Sequence, residues 1–294
     1  MFKGSIVALV TPFNNDQLDE TAYKKLVDWQ IKEGTNGIVP CGTTGESPTL
    51  SADEHARVVE MCVDAVKGRI PVIAGTGSNS TAEAVAYTKH AAKAGADAVL
   101  VVTPYYNKPT NKGLYLHFKA VAESAKIPVI LYNIAGRTAK NIEPEVMAKL
   151  AYDCKNIVAV KEASGSLEQM MRIKEICPKN FDLLSGDDAL TLPIMAIGGT
   201  GVISVAANIV PKDIVAIIKA FEAGDLKKAQ AINIKLMPLI RALFIETNPI
   251  PVKTAIAMMG FCQPDLRLPM CAMEDANLLK LTEALKLYGI KIKR

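Results

Sequence analysis

The sequence predicts an α/β chain folded as a (β/α)8 TIM barrel with a C-terminal helical appendage, on three observations. Eight short apolar runs rich in Val, Ile and Leu barely alternate in polarity, as strands buried on both faces of a parallel sheet require. Amphipathic helix patterns with start signals stand between those runs. The length, 294 residues, suits an α/β barrel, a class that commonly reaches ~250 residues as one domain. An open doubly wound sheet uses the same units. Eight strand–helix repeats with right-handed crossovers nevertheless close most naturally into a ring.

The strands are expected at residues 5–10, 37–40, 70–74, 97–102, 127–132, 157–160, 181–184 and 201–205. Ser51 with Glu54, Ser80 with Glu83, and Ser166 with Gln169 read as three capping boxes, each satisfying orphan N–H groups at a helix start. Behind the first, Val58, Val59, Cys62 and Val66 form an apolar stripe one helix face wide. Leu114, Phe118, Val121 and Ala125 form another. Pro144 and Pro211 suit first helical turns, the second leading to Ile214, Ile218 and Phe221 before Gly224. Residues 1–224 are thus expected to form the catalytic barrel. Residues 225–294 form a helical region packed on it, with helices at 226–244, 251–259 and 274–287, and no linker-like composition separates the two.

Composition narrows the function. Thirty-four basic and 30 acidic residues leave a net charge of +4, too mild and too dispersed to argue for nucleic acid. The most basic stretch, Lys291-Ile292-Lys293-Arg294, reads as a solvated tail. Six scattered cysteines, Cys41, Cys62, Cys154, Cys177, Cys262 and Cys271, form no CxxC pair and read as reduced intracellular thiols. His55, His90 and His117 lack metal-ligand spacing, so no metal site is expected. After Met1-Phe2-Lys3-Gly4-Ser5 come about five apolar residues, too few for a signal-peptide core. The most membrane-like stretch, 192–211, is broken by Gly198-Gly199-Thr200-Gly201 and reads as helix, turn and buried strand. A soluble cytoplasmic protein without a membrane segment is expected.

In a barrel the loops after the strands share one face, and active sites lie there. Lys161 ends the buried run 157–160 at that mouth. Desolvation there disfavours the ammonium, and a neutral amine can attack a ketone to form a Schiff base. A structural ion pair with Glu162 or an aspartate is the plainer alternative. Tyr132, Tyr106 and Thr43 bring hydroxyls to neighbouring strand ends, where a chain of them could carry a proton; each could equally be a packed side chain with a satisfied O–H. Arg137, in a Gly-Arg-Thr loop, could hold a carboxylate in a bidentate pair, or lie solvated on the surface. The turn Gly42-Thr43-Thr44-Gly45 can present backbone N–H groups to a small anion. Gly75-x-Gly77 lacks the third glycine of a dinucleotide loop. His55 and His90 fall inside helix patterns and read as packing or surface residues.

Several stretches together make the chain resemble the dihydrodipicolinate synthase family of pyruvate-dependent class I aldolases. They are Gly42-Thr43-Thr44-Gly45-Glu46-Ser47, Thr103-Pro104-Tyr105-Tyr106-Asn107, Gly136-Arg137-Thr138, Lys161-Glu162-Ala163 and Leu184-Ser185-Gly186-Asp187-Asp188. The likeness runs from Gly4 through Asn248-Pro249-Ile250-Pro251-Val252-Lys253 to Leu266-Arg267-Leu268-Pro269. It implies a Schiff-base synthase condensing pyruvate with L-aspartate 4-semialdehyde to 4-hydroxy-tetrahydrodipicolinate, for lysine and diaminopimelate biosynthesis, without metal or organic cofactor. It implies that Lys161 forms the imine and that Tyr132 is proton donor and acceptor. Thr43 would link Tyr132 to Tyr106 reaching in from a neighbouring subunit of a homotetramer, a dimer of dimers. Thr44, Ile203 and Gly186 would line the pyruvate site, and Arg137 would hold the semialdehyde carboxylate. Two departures stand out. Ala135 replaces a proline common before the Gly-Arg pair, which frees a φ that proline would fix. A lysine-inhibition site would be matched by Ser47, His55, Asn79, Glu83 and Tyr105, but a further histidine of sensitive forms is Ala52 here. The alternatives are a sister aldolase acting on a sugar acid, of the N-acetylneuraminate lyase or 2-keto-3-deoxy-sugar type, and a non-catalytic carboxylate-binding barrel.

Overall fold

The computed structural model describes residues 2–293; Met1 and Arg294 of the two termini read above lie outside the described residues. Eight strands carry the architecture: β1 Gly4–Ala8, β2 Gly37–Val39, β3 Ile73–Gly75, β4 Ala98–Val102, β5 Val129–Asn133, β6 Ile157–Glu162, β7 Asp182–Ser185 and β8 Gly201–Ser204. They pair in parallel around a ring, in the order β2-β1-β8-β7-β6-β5-β4-β3, and a parallel bridge between Ile38 and Val72 closes it. This is a (β/α)8 TIM barrel, and every expected strand is present within a few residues.

Helices α1 Glu20–Lys32, α2 Ala52–Val66, α3 Thr81–Ala94, α4 Asn111–Ser124, α5 Pro144–Asp153, α6 Leu167–Ile176, α7 Thr191–Ala196 and α8 Pro211–Glu222 follow the strands in turn. Three more, α9 Leu226–Leu243, α10 Ile250–Met258 and α11 Asp275–Tyr288, form the C-terminal region, within two residues of the expected bounds. The stretch 192–211 is indeed helix, turn and strand, and among the described residues no helix is long and apolar enough to cross a membrane. A small antiparallel hairpin, Phe13–Asn14 with Gln17–Leu18, follows β1 without any strand-length apolar pattern to announce it.

Because neighbouring residues of a strand point to opposite sides, the eight strands feed two cores. Ile6, Ala8, Val39, Ile73, Leu100, Ile130, Tyr132, Leu184 and Ile203 fill the barrel interior. The alternate positions, with the apolar helix faces, form a much larger layer outside it, including Val58, Val59, Cys62, Val66, Leu114, Phe118 and Val121. Of the three capping boxes only Ser51–Glu54 is reciprocal. Ser80 and Ser166 accept from the N–H of Glu83 and Gln169, but their own N–H groups turn to Ser78 and Ser164. Two local serines offered those N–H groups a nearer acceptor.

Candidate active site

Lys161 is the fifth residue of β6 and stands beside Tyr132 of β5 in register. Both point into the barrel mouth. Lys161 is 6% exposed, and its Nζ lies 4.1 Å from the centroid of the Tyr132 ring. Among the described residues no carboxylate or hydrogen-bond partner meets Nζ. The ion pair left open above is therefore not formed. Glu162 is turned to the opposite side of the strand, where its carboxyl accepts from Asn133, Ser164 and Gln169. Gly186, just after β7, lies against the lysine stem. A Cβ there would sit 3.1 Å from Lys161 Cε and 2.7 Å from Ala163 Cβ, so glycine makes room for the amine's approach.

Thr43 and Thr44 occupy the tight turn after β2, closed by Gly45 and Glu46 N–H groups donating to Gly42 and Thr43 carbonyls at 3.0 and 3.1 Å. Thr43 lines the same small cavity as Lys161 and Tyr132. Thr44 is buried, and its Oγ1 accepts from Asn248 Nδ2 at 3.0 Å. The backbone carbonyl of Asn248 in turn accepts from the Arg137 guanidinium at 3.1 Å. Arg137 itself is exposed, on a one-turn helix Ala135–Thr138 at the rim. Ile203 of β8 is buried in the interior core with Tyr132 and Leu184. Sequence reasoning gave Asn248 no role beyond membership of a matching stretch. Nothing local marks it out among Glu246, Thr247 and Asn248, and it becomes informative only once 204 residues of separation are closed.

The glycines after β3 have a packing explanation. A Cβ on Gly75 would lie 2.2 Å from the Cys41 carbonyl oxygen, and one on Gly77 2.3 Å from the Val102 nitrogen. They let backbone segments touch. Asp188, fully buried after β7, accepts from the Ser204 hydroxyl and from the Val205 and Ala206 N–H groups at 3.0 Å each. Burial pushes its carboxyl above the ordinary aspartate range while those hydrogen bonds pull the other way. It fixes the end of β8 immediately beyond Ile203.

The structure does not bring Tyr106 to Lys161 within one chain. Tyr106 is 88% exposed, in a left-handed conformation at φ +70° on the loop after β4, away from the cavity. The loop after β3 is tied to this one: Asn79 Nδ2 donates to the Tyr105 carbonyl at 3.3 Å, and Asn107 Nδ2 to the Asn79 carbonyl at 2.9 Å. Ser47 opens a 3₁₀ turn beyond Thr44, and Glu83 stands exposed in the first turn of α3. His55 is buried on α2, stacked on Tyr87 at 4.1 Å with Nε2 against the Gly75 carbonyl at 2.8 Å, and burial holds its pKa down. His90 meets Glu60 between helices. Both histidines sit within helices, as the pattern suggested. All six cysteines are free, and no cluster of three or more metal-ligating side chains occurs among the described residues.

The model of the dihydrodipicolinate synthetase family matches residues 1–288. The 4-hydroxy-tetrahydrodipicolinate synthase of Endomicrobium trichonymphae is 60% identical over 290 residues, covering 99% of each chain. That of Syntrophus aciditrophicus is 57% identical over the same span and coverage. The crystal structure of dihydrodipicolinate synthase from Aquifex aeolicus superposes with a TM-score of 0.99 at 50% identity, covering 100% of both chains.

Proposed function

The chain belongs to the dihydrodipicolinate synthetase family, and from that premise we propose that Lys161 is the amine on which its reaction runs. The activity is that of a lyase condensing pyruvate with L-aspartate 4-semialdehyde to 4-hydroxy-tetrahydrodipicolinate, in lysine and diaminopimelate biosynthesis. The full-length relatives bear the synthase name, which favours this reading over a sugar-acid aldolase or a non-catalytic barrel.

One observation carries the residue assignment: a buried lysine amine over a tyrosine ring, with no acid beside it among the described residues. The Nζ lone pair attacks the pyruvate ketone, forming a C–N bond, and the carbinolamine loses water to a protonated imine. That imine accepts the electron pair when a methyl proton leaves, giving an enamine. The enamine carbon bonds to the semialdehyde carbonyl carbon, whose oxygen takes a proton. The semialdehyde's amino group then attacks the imine carbon, and its cyclisation releases Lys161. Tyr132 is the proton donor and acceptor, and Thr43 relays to Tyr106 of a neighbouring copy. Thr44, Gly186 and Ile203 line the pyruvate site, and Arg137, held through the Asn248 carbonyl, pairs with the semialdehyde carboxylate.

The exposed Tyr106 supports an assembly of copies, which we place as a homotetramer, a dimer of dimers. Residues 1–224 act as the catalytic barrel and 225–294 as a helical region whose Asn248 reaches the site. Six unpaired cysteines suit a cytoplasmic location. We assign the residues Ser47, His55, Asn79, Glu83 and Tyr105 to a lysine-responsive rim only as far as Asn79 and Tyr105 meet through a hydrogen bond. Borohydride reduction with pyruvate, followed by intact mass and peptide mapping, tests the core of this reading. A pyruvyl adduct on Lys161 is expected; an adduct elsewhere, or none, refutes the assignment.

A further inference from the structure

We propose that Glu162, together with Asn133, Asn141 and Gln169, is a positioning clamp that sets the Lys161 amine against Tyr132; the proposal rests on Lys161 being the imine-forming residue. The clamp follows from strand register. Tyr132 pairs with Lys161 across β5 and β6, and the next pair along the same two strands is Asn133 with Glu162. Since successive side chains point to opposite faces, the first pair faces the barrel mouth and the second faces the helical layer. Any rotation of either strand that moves one pair moves the other.

The second pair is tied down far more firmly than strand pairing alone requires. Asn133 and Glu162 are fully buried. Asn133 Nδ2 donates to both Glu162 oxygens at 3.2 and 3.0 Å, and to Asn141 Oδ1 at 2.7 Å. The Ile142 N–H donates to Asn133 Oδ1 at 2.9 Å. Glu162 also accepts from the Ser164 N–H at 2.7 Å and from Gln169 Nε2 at 3.1 Å. Gln169 and Asn141 exchange hydrogen bonds at 2.9 and 3.1 Å. The network joins β5, β6, the loop that follows Arg137 and the first turn of α6.

Two features say that this network is there for geometry. Every donor to Glu162 is neutral, so the site bears the cost of burying a carboxyl without a cation to offset it. An apolar side chain would fill the same layer at less cost. Gln169, moreover, occupies the position from which a capping box would reach back to Ser166, yet its amide goes to Glu162 and Asn141 instead. Helix α6 gives up half of a cap to the clamp. The clamp fixes χ and strand twist beside a reaction that is sensitive to displacements of about 1 Å.

The test uses the full chain and measures three things: the rate of borohydride trapping with pyruvate, kcat and KM for the condensation, and thermal unfolding. Gln169→Ala removes one arm from the periphery. It is expected to slow trapping and lower kcat by about tenfold, leaving KM for the semialdehyde within about twofold and the protein folded at assay temperature. Glu162→Gln should do more, and the exchange Glu162→Gln with Gln169→Glu should recover most of the rate by restoring one donor facing one acceptor. A network that merely stabilises the fold would lower the unfolding temperature with trapping by the folded protein unchanged, and that result overturns the proposal. If Glu162→Gln does not fold, Gln169→Ala decides alone. A wild-type chain that traps no pyruvate on Lys161 overturns the amine assignment itself, and the clamp with it.

Discussion

Among the described residues two lysines are buried, each lies over an aromatic ring, and they are set up in opposite ways. At the barrel mouth Lys161 stands 4.1 Å from the Tyr132 ring centroid with no carboxylate in reach among the described residues. At the seam between barrel and C-terminal region, Lys253 of α10 is fully buried 4.0 Å from the Phe13 ring centroid, and its Nζ meets Glu46 at 2.6 Å. Burial pulls the Lys253 ammonium below the ordinary lysine range, against the opposing pull of Glu46. Glu46 also accepts from the Arg267 N–H at 3.1 Å, and the Arg267 guanidinium lies 4.3 Å from the same Phe13 ring. The seam spends its cations on one another's carboxylates; the mouth keeps one amine uncommitted. Burial does not distinguish the two lysines; the carboxylate partner does.

Exchanging each lysine for methionine separates the two designs most sharply. Lys161→Met should lower kcat by at least roughly 10⁴-fold, since no other group can form the imine. It should leave unfolding in denaturant within about 1 kcal/mol of wild type, because no partner is stranded. A Lys161→Met chain that still condensed its substrates at the wild-type rate would end the comparison.

Lys253→Met should do the reverse. Removing the cation leaves Glu46 buried and uncompensated, a loss of about 3–5 kcal/mol by denaturant unfolding. Adding Glu46→Gln should recover much of it. Because Glu46 closes the Thr43–Thr44 turn, kcat should fall as well, but by far less than at Lys161. If Lys253→Met proved as stable as wild type, the seam pair would be no more structural than the amine at the mouth.

The same contrast explains what could be read in the sequence. The barrel was legible because parallel strands leave near-continuous apolar runs, and Lys161 was legible because a strand end maps directly onto the functional face. The seam was not. Glu46 and Lys253 are 207 residues apart, Asn248 and Thr44 are 204 apart, and nothing local in either stretch names its partner. Tyr106 was expected at the site from a neighbouring subunit, and within the single chain it is exposed and lies outside the cavity. The Ser166–Gln169 motif misled for a related reason: a local pattern competes with distant acceptors, and Glu162 won.

The smallest effect concerns how the seam responds to acid. Arg267 donates to Glu54 through two nitrogens at 2.7 and 2.6 Å, and those hydrogen bonds hold the Glu54 carboxyl at about 2, below its ordinary 4.5. A carboxyl whose pKa is lower folded than unfolded adds stability above the unfolded value and loses it as pH falls toward the folded one. Glu54 should thus stabilise the chain fully above about pH 4.5 and cease to do so near pH 2. Its partly solvated position reduces the contribution to about 1–2 kcal/mol. His117 acts earlier: burial holds it down at about 4 from 6.5, so the unfolded chain takes up its proton first and stability already declines between those values. The Glu54 contribution is accordingly read as a difference, with unfolding followed for wild type and Glu54→Gln from pH 7 to 2.5. The two curves should lie apart by a constant amount above pH 4.5 and converge below it, because only the wild type still has a carboxylate to lose. Curves that stay parallel down to pH 2.5 would mean that the Arg267 knot does not hold the seam through charge, and that packing on Phe13 does so instead.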